Sequence, residues 1–383
     1  MSTHSARPAG IWWRSMDRAA LVAMVMLIVL GLVLAFAASP AATGGPMTAG
    51  DFRYAAKQIA FAAIAVMILA ITSTLTLRTI KITAGVVYVA AVIGSAIALF
   101  AGHEAFGARR SIELGILTLQ PSEFLKPGFA VLAAAVLAER EKLIIRKELV
   151  ALIIAVPALL VLVKQPDIGQ TALLLALWGA LLFFDGISYI WIGMLAGVSA
   201  ALGGIAYLLF PHVHHRINQY FDPQQTPYQA GLALKAFAHG GLAGVGPGAG
   251  TIKYHLPEAH SDFIFAVAGE EFGIVLCGTI AILFCVLCVS LLLRSARLGD
   301  SFSKLAGAGL AIVVALQAFI NMGVAVSLLP TKGMTLPFIS YGGSSLFAVA
   351  LTMGFALAVT RQRSKIGETD CDLFGFLRVA RPA

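Results

Sequence analysis

The sequence predicts an all-α, polytopic membrane protein with about ten transmembrane helices, both termini in the cytoplasm, and one long outer loop between helices seven and eight. Composition is the first reason: of 383 residues, 59% are hydrophobic and 12% are charged, and the mean hydropathy is +0.89. Soluble domains carry about 25% charged residues. The second reason is a series of apolar runs, each near the length that a bilayer requires.

Ten apolar runs follow one another along the chain. They are 19–38, 54–74, 82–101, 121–138, 149–163, 169–185, 187–210, 262–293, 304–329 and 336–360. The first run follows three arginines and imitates a secretory signal, but its length and the many later runs favour an uncleaved first helix. The fifth and sixth runs are short for membrane spans.

The distribution of Lys and Arg predicts the orientation. With the N-terminus in the cytoplasm, most of the 27 Lys and Arg residues fall in inner segments, as the positive-inside rule requires. The net charge of +8 then reflects topology rather than nucleic-acid binding. We expect a cytoplasmic segment 1–18, a transmembrane domain 19–363 that includes the long outer loop 211–261, and a cytoplasmic tail 364–383.

The outer loop 211–261 is long enough to suggest a function. Its amphipathic piece 228–238 predicts contact with the membrane surface. Glycines at 244, 246, 248 and 250 lack the spacing of a nucleotide-binding P-loop, so we expect them to permit tight backbone bends.

Metal sites are not expected in two places that superficially suggest them. The three histidines at 212, 214 and 215 lack nearby Cys or grouped carboxylates. The C-x-x-C pair at 285 and 288 lies inside an apolar run, where cysteines usually act as small core residues.

Asp262 is the first candidate for chemistry, since it lies where the outer loop enters the eighth run. A carboxylate deep in a bilayer is costly, so Asp262 is best placed at the wet mouth of the helix, near a substrate held in the membrane. The alternative is that Asp262 caps the helix, a common role for Asp. Glu270 and Glu271 follow inside the same run and are expected to matter less.

A second group of charges lies before the fourth run. Arg109 and Arg110 precede the motif 120–126, in which Glu123 and Lys126 share one helix face at i and i+3. Topology does not call for basic residues on the outer side, so they are candidates to bind the phosphates of a lipid. The alternative is an internal ion pair that makes a buried helix start tolerable.

Two further polar motifs interrupt the apolar pattern. Segment 164–169 contains Gln165 and Asp167 between two short runs, which suits either a broken-helix site or a plain tight turn. Segment 329–345 contains Lys332 and Ser340 and runs into the last span, where its paired glycines also permit close helix packing.

This last segment carries a resemblance to a known family. Residues 330–344, P-x-x-G-x-x-L-P-F-I-S-Y-G-G-S, resemble the signature of the SEDS family (shape, elongation, division and sporulation proteins). The motifs 120–126, 165–169, 216–223 and 257–271 match the same family in the same order, and the resemblance spans roughly 17–363. The T-K-G-M-T-L-P version is more similar to the division member than to the elongation member. Ser111 departs from the pattern, since the family usually has Trp there.

The resemblance implies a peptidoglycan glycosyltransferase that polymerises lipid II at the outer face of the bacterial inner membrane, in septal wall synthesis at the division site. It implies as partners a class B penicillin-binding protein, other division proteins and the lipid substrate, without nucleic acid. Asp262 matches the essential acid. The residues expected to bind substrate are Arg109, Arg110, Glu123, Lys126, Gln165, Asp167, Arg216, His260, Lys332 and Ser340.

Cofactors and rival functions remain open at this point. No protein metal ligands are expected, although Mg²⁺ or Mn²⁺ could neutralise the departing pyrophosphate in place of Arg or Lys. A lipid II flippase would use a similar charged cavity, but it predicts polar motifs on both faces, whereas here they gather on the outer side. An elongation-type polymerase and a silent scaffold are also candidate functions, and a scaffold would not need the acids around Asp262.

Overall fold

The computed structural model describes residues 16–43, 52–105, 108–115, 117–139, 145–190, 228–330 and 333–361, with a few isolated positions between 193 and 218. The described ranges bound ten α-helices: α1 Arg18–Thr43, α2 Arg53–Ser73, α3 Leu77–Ala101, α4 Ser122–Leu137, α5 Lys147–Lys164, α6 Ile168–Asp185, α7 Tyr228–Gly240, α8 Ile264–Ala296, α9 Ser301–Ala325 and α10 Gly343–Thr360.

Seven of these helices, namely α1, α2, α3, α6, α8, α9 and α10, are long and apolar enough to cross a membrane. The chain is therefore a mostly helical, multi-pass membrane protein, as predicted. Two more predicted spans correspond to α4, which has sixteen residues, and to α5, which carries charged residues at both ends. The predicted run 187–210 lies almost wholly outside the described residues.

The most buried helices, α4 and α10, form the centre. All of α10 except Phe347 is buried, and α10 packs against α2, α9 and α4. Helix α4 is buried along nearly its whole length and packs against α3, α5, α6 and α9. Because other helices surround α4, its charged side chains face protein, whereas the same side chains facing lipid would be energetically costly.

A small antiparallel sheet follows α3 and is the main departure from the predicted all-α class. Its strands are β1 His103–Ala105, β2 Ala108–Leu114 and β3 Leu117–Leu119, in the order β1-β2-β3. Strand pairing satisfies the backbone groups of the connection between α3 and α4. The candidate residues Arg109 and Arg110 lie on β2.

Two predicted spans have different boundaries in the structure. The last predicted span begins at 336, but α10 begins at Gly343, and 333–342 forms an irregular loop, here the 333–342 loop. The eighth predicted span is continuous, but α8 breaks at Gly273, whose φ of 73° and ψ of −179° are not helical. Residues 255–263 form the turn that precedes α8, here the 255–263 turn.

The amphipathic segment of the outer loop forms α7. Its small residues Ala230, Ala233 and Ala236 are buried, and α7 packs on α8. Tyr228 and Leu234 on its other side are exposed. One face of α7 is therefore used for packing within the protein, and contact of the exposed side with the membrane surface stays a prediction.

The orientation across the membrane also stays a prediction, and cysteine labelling tests it. A thiol reagent that cannot cross the membrane should label a Cys introduced at Gln225 but not one introduced at Glu141, because the Lys and Arg distribution places 225 outside and 141 inside. Both positions lie outside the described residues. Labelling at 141 in intact spheroplasts would overturn the orientation.

Candidate functional site

Asp262 lies in the 255–263 turn, just before α8 begins at Ile264. The turn is closed by backbone bonds from the N–H groups of Ser261 and Phe263 to Glu258 O, at 3.1 and 3.2 Å. The N-cap residue of α8 is Phe263, and no side chain caps this end of the helix. Within the described chain, the hydrogen bond that the capping alternative requires of Asp262 is not found.

Asp262 is also electrostatically unusual. Burial raises the pKa of Asp262 to about 7, and the negative charges of Glu258, Asp167 and Glu123 act in the same direction. The guanidinium of Arg110 opposes this rise in pKa. A carboxyl with a pKa near the working pH suits a general base. The charges that act on the Asp262 carboxyl therefore belong to α4, β2 and the start of α6 as well as to its own turn.

The start of the 333–342 loop lies beside the Asp262 side chain. A Cβ added to Gly333 would lie 3.0 Å from Asp262 Oδ2, so the loop backbone lies directly beside the carboxylate. Ser340 Oγ donates to Ser261 O at 2.5 Å and accepts from Leu336 N at 2.7 Å. Ser340, a predicted substrate-binding residue, is thus buried and joins the loop to the turn.

Two buried amides of α9 complete these contacts, and the sequence analysis missed both. Asn321 Nδ2 donates to Asp262 O at 2.8 Å and to Met334 O at 2.6 Å. Gln317 Nε2 donates to Thr335 O at 3.1 Å. Polar side chains inside an apolar run are a usual signal of function in membrane proteins, and that signal is present in the run 304–329.

Glu123 and Lys126 form a buried ion pair of 2.7 Å, and each side chain is 4% exposed. Lys126 Nζ also donates to Gln317 Oε1 at 2.9 Å, and Gln170 Nε2 donates to Glu123 Oε1 at 2.5 Å. This pair therefore links α4 to α9 and α6. Its burial favours the internal ion-pair alternative over direct contact of Lys126 with a phosphate.

Arg110 holds the connection between α5 and α6. Its Nε and one terminal nitrogen donate to the carbonyls of Gln165 and Pro166 at 3.1 and 2.9 Å, and the other terminal nitrogen lies 3.9 Å from Asp167 Oδ2. Pro166 has a φ of 22°. The Arg110 side chain remains 32% exposed, so it can both brace this turn and face an anionic ligand.

Gln165 and Asp167 are both buried at this turn. Asp167 Oδ1 accepts from Gln170 N at 3.2 Å and caps α6. Burial raises the pKa of Asp167, while Arg110 and the backbone N–H of Gln170 oppose the rise. Gln165 Nε2 donates to Ser95 O at 2.9 Å. The contacts describe a tight capped turn at this place.

His260 lies in an aromatic cluster beside Asp262. Its ring centroid is 4.9 Å from that of Tyr54 and 5.4 Å from that of Tyr341. Burial lowers the pKa of His260, and the charge of Glu258 opposes this. An open cavity of about 310 Å³ adjoins the cluster and is lined by residues 254–260. A neutral imidazole beside this cavity can donate a hydrogen bond to a sugar or peptide, or accept one from it.

Three predicted substrate-binding residues remain, and the structure describes one of them. Arg109 is exposed on β2. Arg216 and Lys332 lie outside the described residues. Among the residues that the structure describes, no three His, Cys, Asp or Glu side chains group so as to hold a metal ion.

Glu270 and Glu271 hold the outer loop rather than extend the group around Asp262. Both are buried in α8. Glu271 accepts from Gly248 N at 3.0 Å and from the ammonium of Lys253, which also donates to Ala37 O at 2.7 Å. Glu270 accepts four hydrogen bonds, from the backbone N–H groups of Thr251, Ile252 and Lys253 and from His239 Nδ1, at 2.8 to 3.0 Å.

The break in α8 is matched by the same loop. Val245 and Gly246 donate to Glu270 O and Glu271 O at 3.0 Å, and Ile274 N donates to Gly241 O at 3.0 Å. Loop backbone thus satisfies the groups that the break frees, as irregular backbone at membrane depth requires. Gly273 and Gly244 make the approach possible: a Cβ on either would lie 2.2 Å from a backbone oxygen, and both have positive φ.

Comparisons with known proteins agree with these motifs. The sequence model of the Cell cycle protein family FTSW_RODA_SPOVE matches residues 18–365. The chain is 41% identical over 356 residues to a Caulobacter vibrioides protein named "Probable peptidoglycan glycosyltransferase FtsW", covering 92% of this chain and 91% of the relative. A protein of the same name from Alkalilimnicola ehrlichii is 35% identical over 366 residues, covering 91% and 90%.

Two solved structures share the fold. One chain, described as "Structural coordination of polymerization and crosslinking by a peptidoglycan synthase complex", has a TM-score of 0.75 and 25% identity, covering 91% of this chain and 98% of that chain. The rod shape determining protein RodA of Thermus thermophilus has a TM-score of 0.68 and 24% identity, covering 92% and 99%. On the family match and these identities, the chain belongs to the SEDS family of cell cycle proteins, which includes FtsW, RodA and SpoVE.

Proposed function

We propose that this chain is a peptidoglycan glycosyltransferase of the FtsW type, which polymerises lipid II into glycan strands at the outer face of the inner membrane during septal wall synthesis. The observation that carries the proposal is the Asp262 carboxyl: it is partly buried, burial raises its pKa to about 7, and it makes no capping bond in the described chain. The relatives named for this activity support it.

The chemistry assigns Asp262 one proton transfer. A sugar hydroxyl of the acceptor attacks the anomeric carbon of the donor, the new glycosidic bond forms, and the bond to the lipid pyrophosphate breaks. Asp262 takes the hydroxyl proton, a step that contributes about 10²–10⁴-fold in typical general-base catalysis. The pyrophosphate leaves as an anion, and its charge needs positive partners.

Arg109 and Arg110 are the described basic groups that suit this second role. Both lie on β2, and both side chains are at least partly exposed, unlike Lys126. Arg110 also acts on the Asp262 carboxyl electrostatically. A planar guanidinium binds two phosphate oxygens at once, which orients the leaving group as well as neutralising it.

We infer that the chain works with a class B penicillin-binding protein and other division proteins in the bacterial inner membrane. Support comes from the solved chain described as part of a peptidoglycan synthase complex. In this proposal the chain lengthens glycan strands, and the transpeptidase partner crosslinks them.

Polymerisation of purified lipid II by the purified chain, with and without its partner synthase, tests the proposed activity. We expect strands of many disaccharides, resolved by gel electrophoresis, and no strands with Asp262→Asn. A flippase would instead move labelled lipid II across a vesicle membrane without lengthening it. Transport without polymerisation would overturn the proposal.

Substitutions of Arg109 test the phosphate role. Arg109→Ala should weaken lipid II binding, and Arg109→Lys should also reduce rate and binding, because a point charge cannot replace a bidentate fork. Thermal stability in detergent should change little, since the side chain is exposed. Lys126→Ala is the contrasting variant: it leaves Glu123 buried without its charge partner and should lower stability by about 3–5 kcal/mol. Full lipid II binding by Arg109→Lys would remove the fork from the proposal.

Dependence on a divalent cation is a separate proposal. Because the described residues offer no metal cluster, we propose that any Mg²⁺ or Mn²⁺ would be held mainly by the substrate pyrophosphate. Polymerisation should then fall on addition of EDTA and return on addition of Mg²⁺, while the thermal stability of the protein without substrate stays constant. A fall in stability on chelation would instead point to a protein-held metal.

A further inference from the structure

Asn321 lies on α9, away from the motifs that suggested the function, and its amide bonds two segments that meet at Asp262. Nδ2 donates one proton to Asp262 O and the other to Met334 O, at 2.8 and 2.6 Å. We propose that Asn321 is a positioning residue that holds the 255–263 turn against the 333–342 loop and thereby sets the place of the Asp262 carboxylate. Its effect on catalysis rests on the proposed role of Asp262 as the base.

The 255–263 turn needs such a support because it has no regular structure. Glu258 within it has a φ of 55°, which non-glycine residues rarely adopt. Tyr341 N donates to His260 O at 2.9 Å, but Tyr341 belongs to the 333–342 loop, which is irregular too. Asn321 is a buried residue of helix α9, and it bonds to both irregular segments. The 255–263 turn and the 333–342 loop are therefore both held against the same helix.

The contact with Met334 matters because of its neighbour Gly333. Gly333 lies so close to Asp262 Oδ2 that an added Cβ would be 3.0 Å from that oxygen. By holding Asp262 O and Met334 O together, Asn321 fixes the separation between the carboxylate and this stretch of backbone. A misplacement of about 1 Å at a reacting group can cost about 100-fold in rate.

A purely structural role is the alternative: Asn321 would only satisfy two interior carbonyls. Gln58 on α2 offers a matched control. Both amides are 1% exposed, and each leaves its side-chain oxygen without a partner in the described residues. Gln58 Nε2 donates to Ser340 O at 3.2 Å. Gln58 therefore anchors the same loop as Asn321 without bonding to Asp262.

Replacing Asn321 with an apolar residue changes no charge near Asp262. The charged groups that act on Asp262 are Glu258 in its own turn, Asp167 at the start of α6, Glu123 on α4 and Arg110 on β2. The amides of α9 are neutral, as are the adjacent tyrosine rings. A change in the protonation of Asp262 after such a substitution must therefore come from a change in its position or hydration.

The experiment compares Asn321→Leu and Asn321→Ala with Gln58→Leu and Gln58→Ala. For each variant, kcat and KM for lipid II are measured in the presence of the partner synthase. The Asp262 carboxyl is titrated by infrared difference spectroscopy, with the spectrum of Asp262→Asn as the reference. This measurement requires no turnover. We expect the Asn321 variants to lose about 10–100-fold in kcat with KM within about twofold. Their Asp262 midpoint should move down toward the ordinary range, because a loosened carboxyl gains water.

The Gln58 variants should lose thermal stability but keep the wild-type kcat and Asp262 midpoint. Asn321 variants that match them in both readouts would show a purely structural role and overturn the proposal. A shifted midpoint together with full activity of Asp262→Asn would support the positioning role and overturn Asp262 as the base. If Asn321→Leu does not fold, Asn321→Ala carries the comparison, since it leaves room for water at the two carbonyls.

Discussion

Glu270→Ala is expected to lower the free energy of unfolding by several kcal/mol. The Glu270 carboxylate is buried and accepts hydrogen bonds from three consecutive backbone N–H groups, those of Thr251, Ile252 and Lys253. Each buried donor left without a partner costs about 1–3 kcal/mol. Alanine supplies no acceptor, and the smaller side chain leaves a cavity. Thermal unfolding of the detergent-solubilised protein measures the loss.

Glu148→Ala is the matched control for an acid that is not built into the interior. Glu148 pairs with Arg146 at 3.4 Å at the start of α5; the Arg146 side chain is 62% exposed and the Glu148 side chain is 23% exposed, whereas Glu270 is fully buried. Exposed pairs contribute about 0–1 kcal/mol, so the melting temperature should hardly change. Limited proteolysis should cut Glu270→Ala between residues 240 and 254 but leave Glu148→Ala intact there. Equal melting temperatures and equal cleavage would show that Glu270 does not anchor the loop.

The stability effect should extend from the loop to α8. Glu270 and Glu271 precede the break at Gly273, and their backbone oxygens accept the bonds from Val245 and Gly246. Releasing the loop therefore also frees buried backbone groups at the break, inside a helix long and apolar enough to span a membrane. For the same reason neither acid is free to replace Asp262: their carboxylates are already bonded to the loop.

Sequence reasoning predicted the elements that depend on local pattern. Apolar runs of bilayer length predict helices because lipid leaves a backbone few other ways to satisfy its polar groups. The second run, predicted at 54–74, is helix α2 at Arg53–Ser73. The i, i+3 spacing likewise predicted that Glu123 and Lys126 share a face, and they form an ion pair.

What sequence reasoning missed depends on contacts between distant residues. The break in α8 is stable because loop residues about thirty positions earlier satisfy its backbone groups, and no local pattern contains that information. The sheet of β1, β2 and β3 likewise depends on pairing across turns. Arg109 and Arg110 are adjacent in sequence, but their surroundings in the structure differ. Arg109 is exposed, whereas Arg110 donates to Gln165 O and braces that turn.

Asp262→Asn is expected to abolish glycan polymerisation while the protein stays folded and bound to its synthase. The amide cannot accept a proton at neutral pH, but it fills the same space as the carboxyl. Strand length after incubation with lipid II measures the effect, and co-purification reports the partner. Asp262→Glu keeps a carboxyl but moves it by a methylene, so we expect strong impairment here too.

The pH profile of the wild-type protein provides an independent check on the same residue. Because the pKa of Asp262 is raised to about 7, the carboxyl is protonated below this pH and cannot act as a base. Polymerisation should therefore rise as the pH increases through about 7, provided that chemistry limits the rate. An acid limb near pH 4, the ordinary range of an aspartate, would show that the titrating base does not have the raised pKa of Asp262.

The effect of pH on stability also distinguishes the two interpretations of Asp262, as a buried general base or as a helix cap. The folded-state pKa lies above the unfolded value of about 4, so the folded protein binds more protons and the contribution of Asp262 to stability falls as the pH rises from about 4 to about 7. Asn carries no charge, so Asp262→Asn should melt at a higher temperature than the wild type at pH 8. A helix cap gives no such gain, since Asn caps about as well as Asp. A stable Asp262→Asn protein that still makes long strands would remove Asp262 as the base.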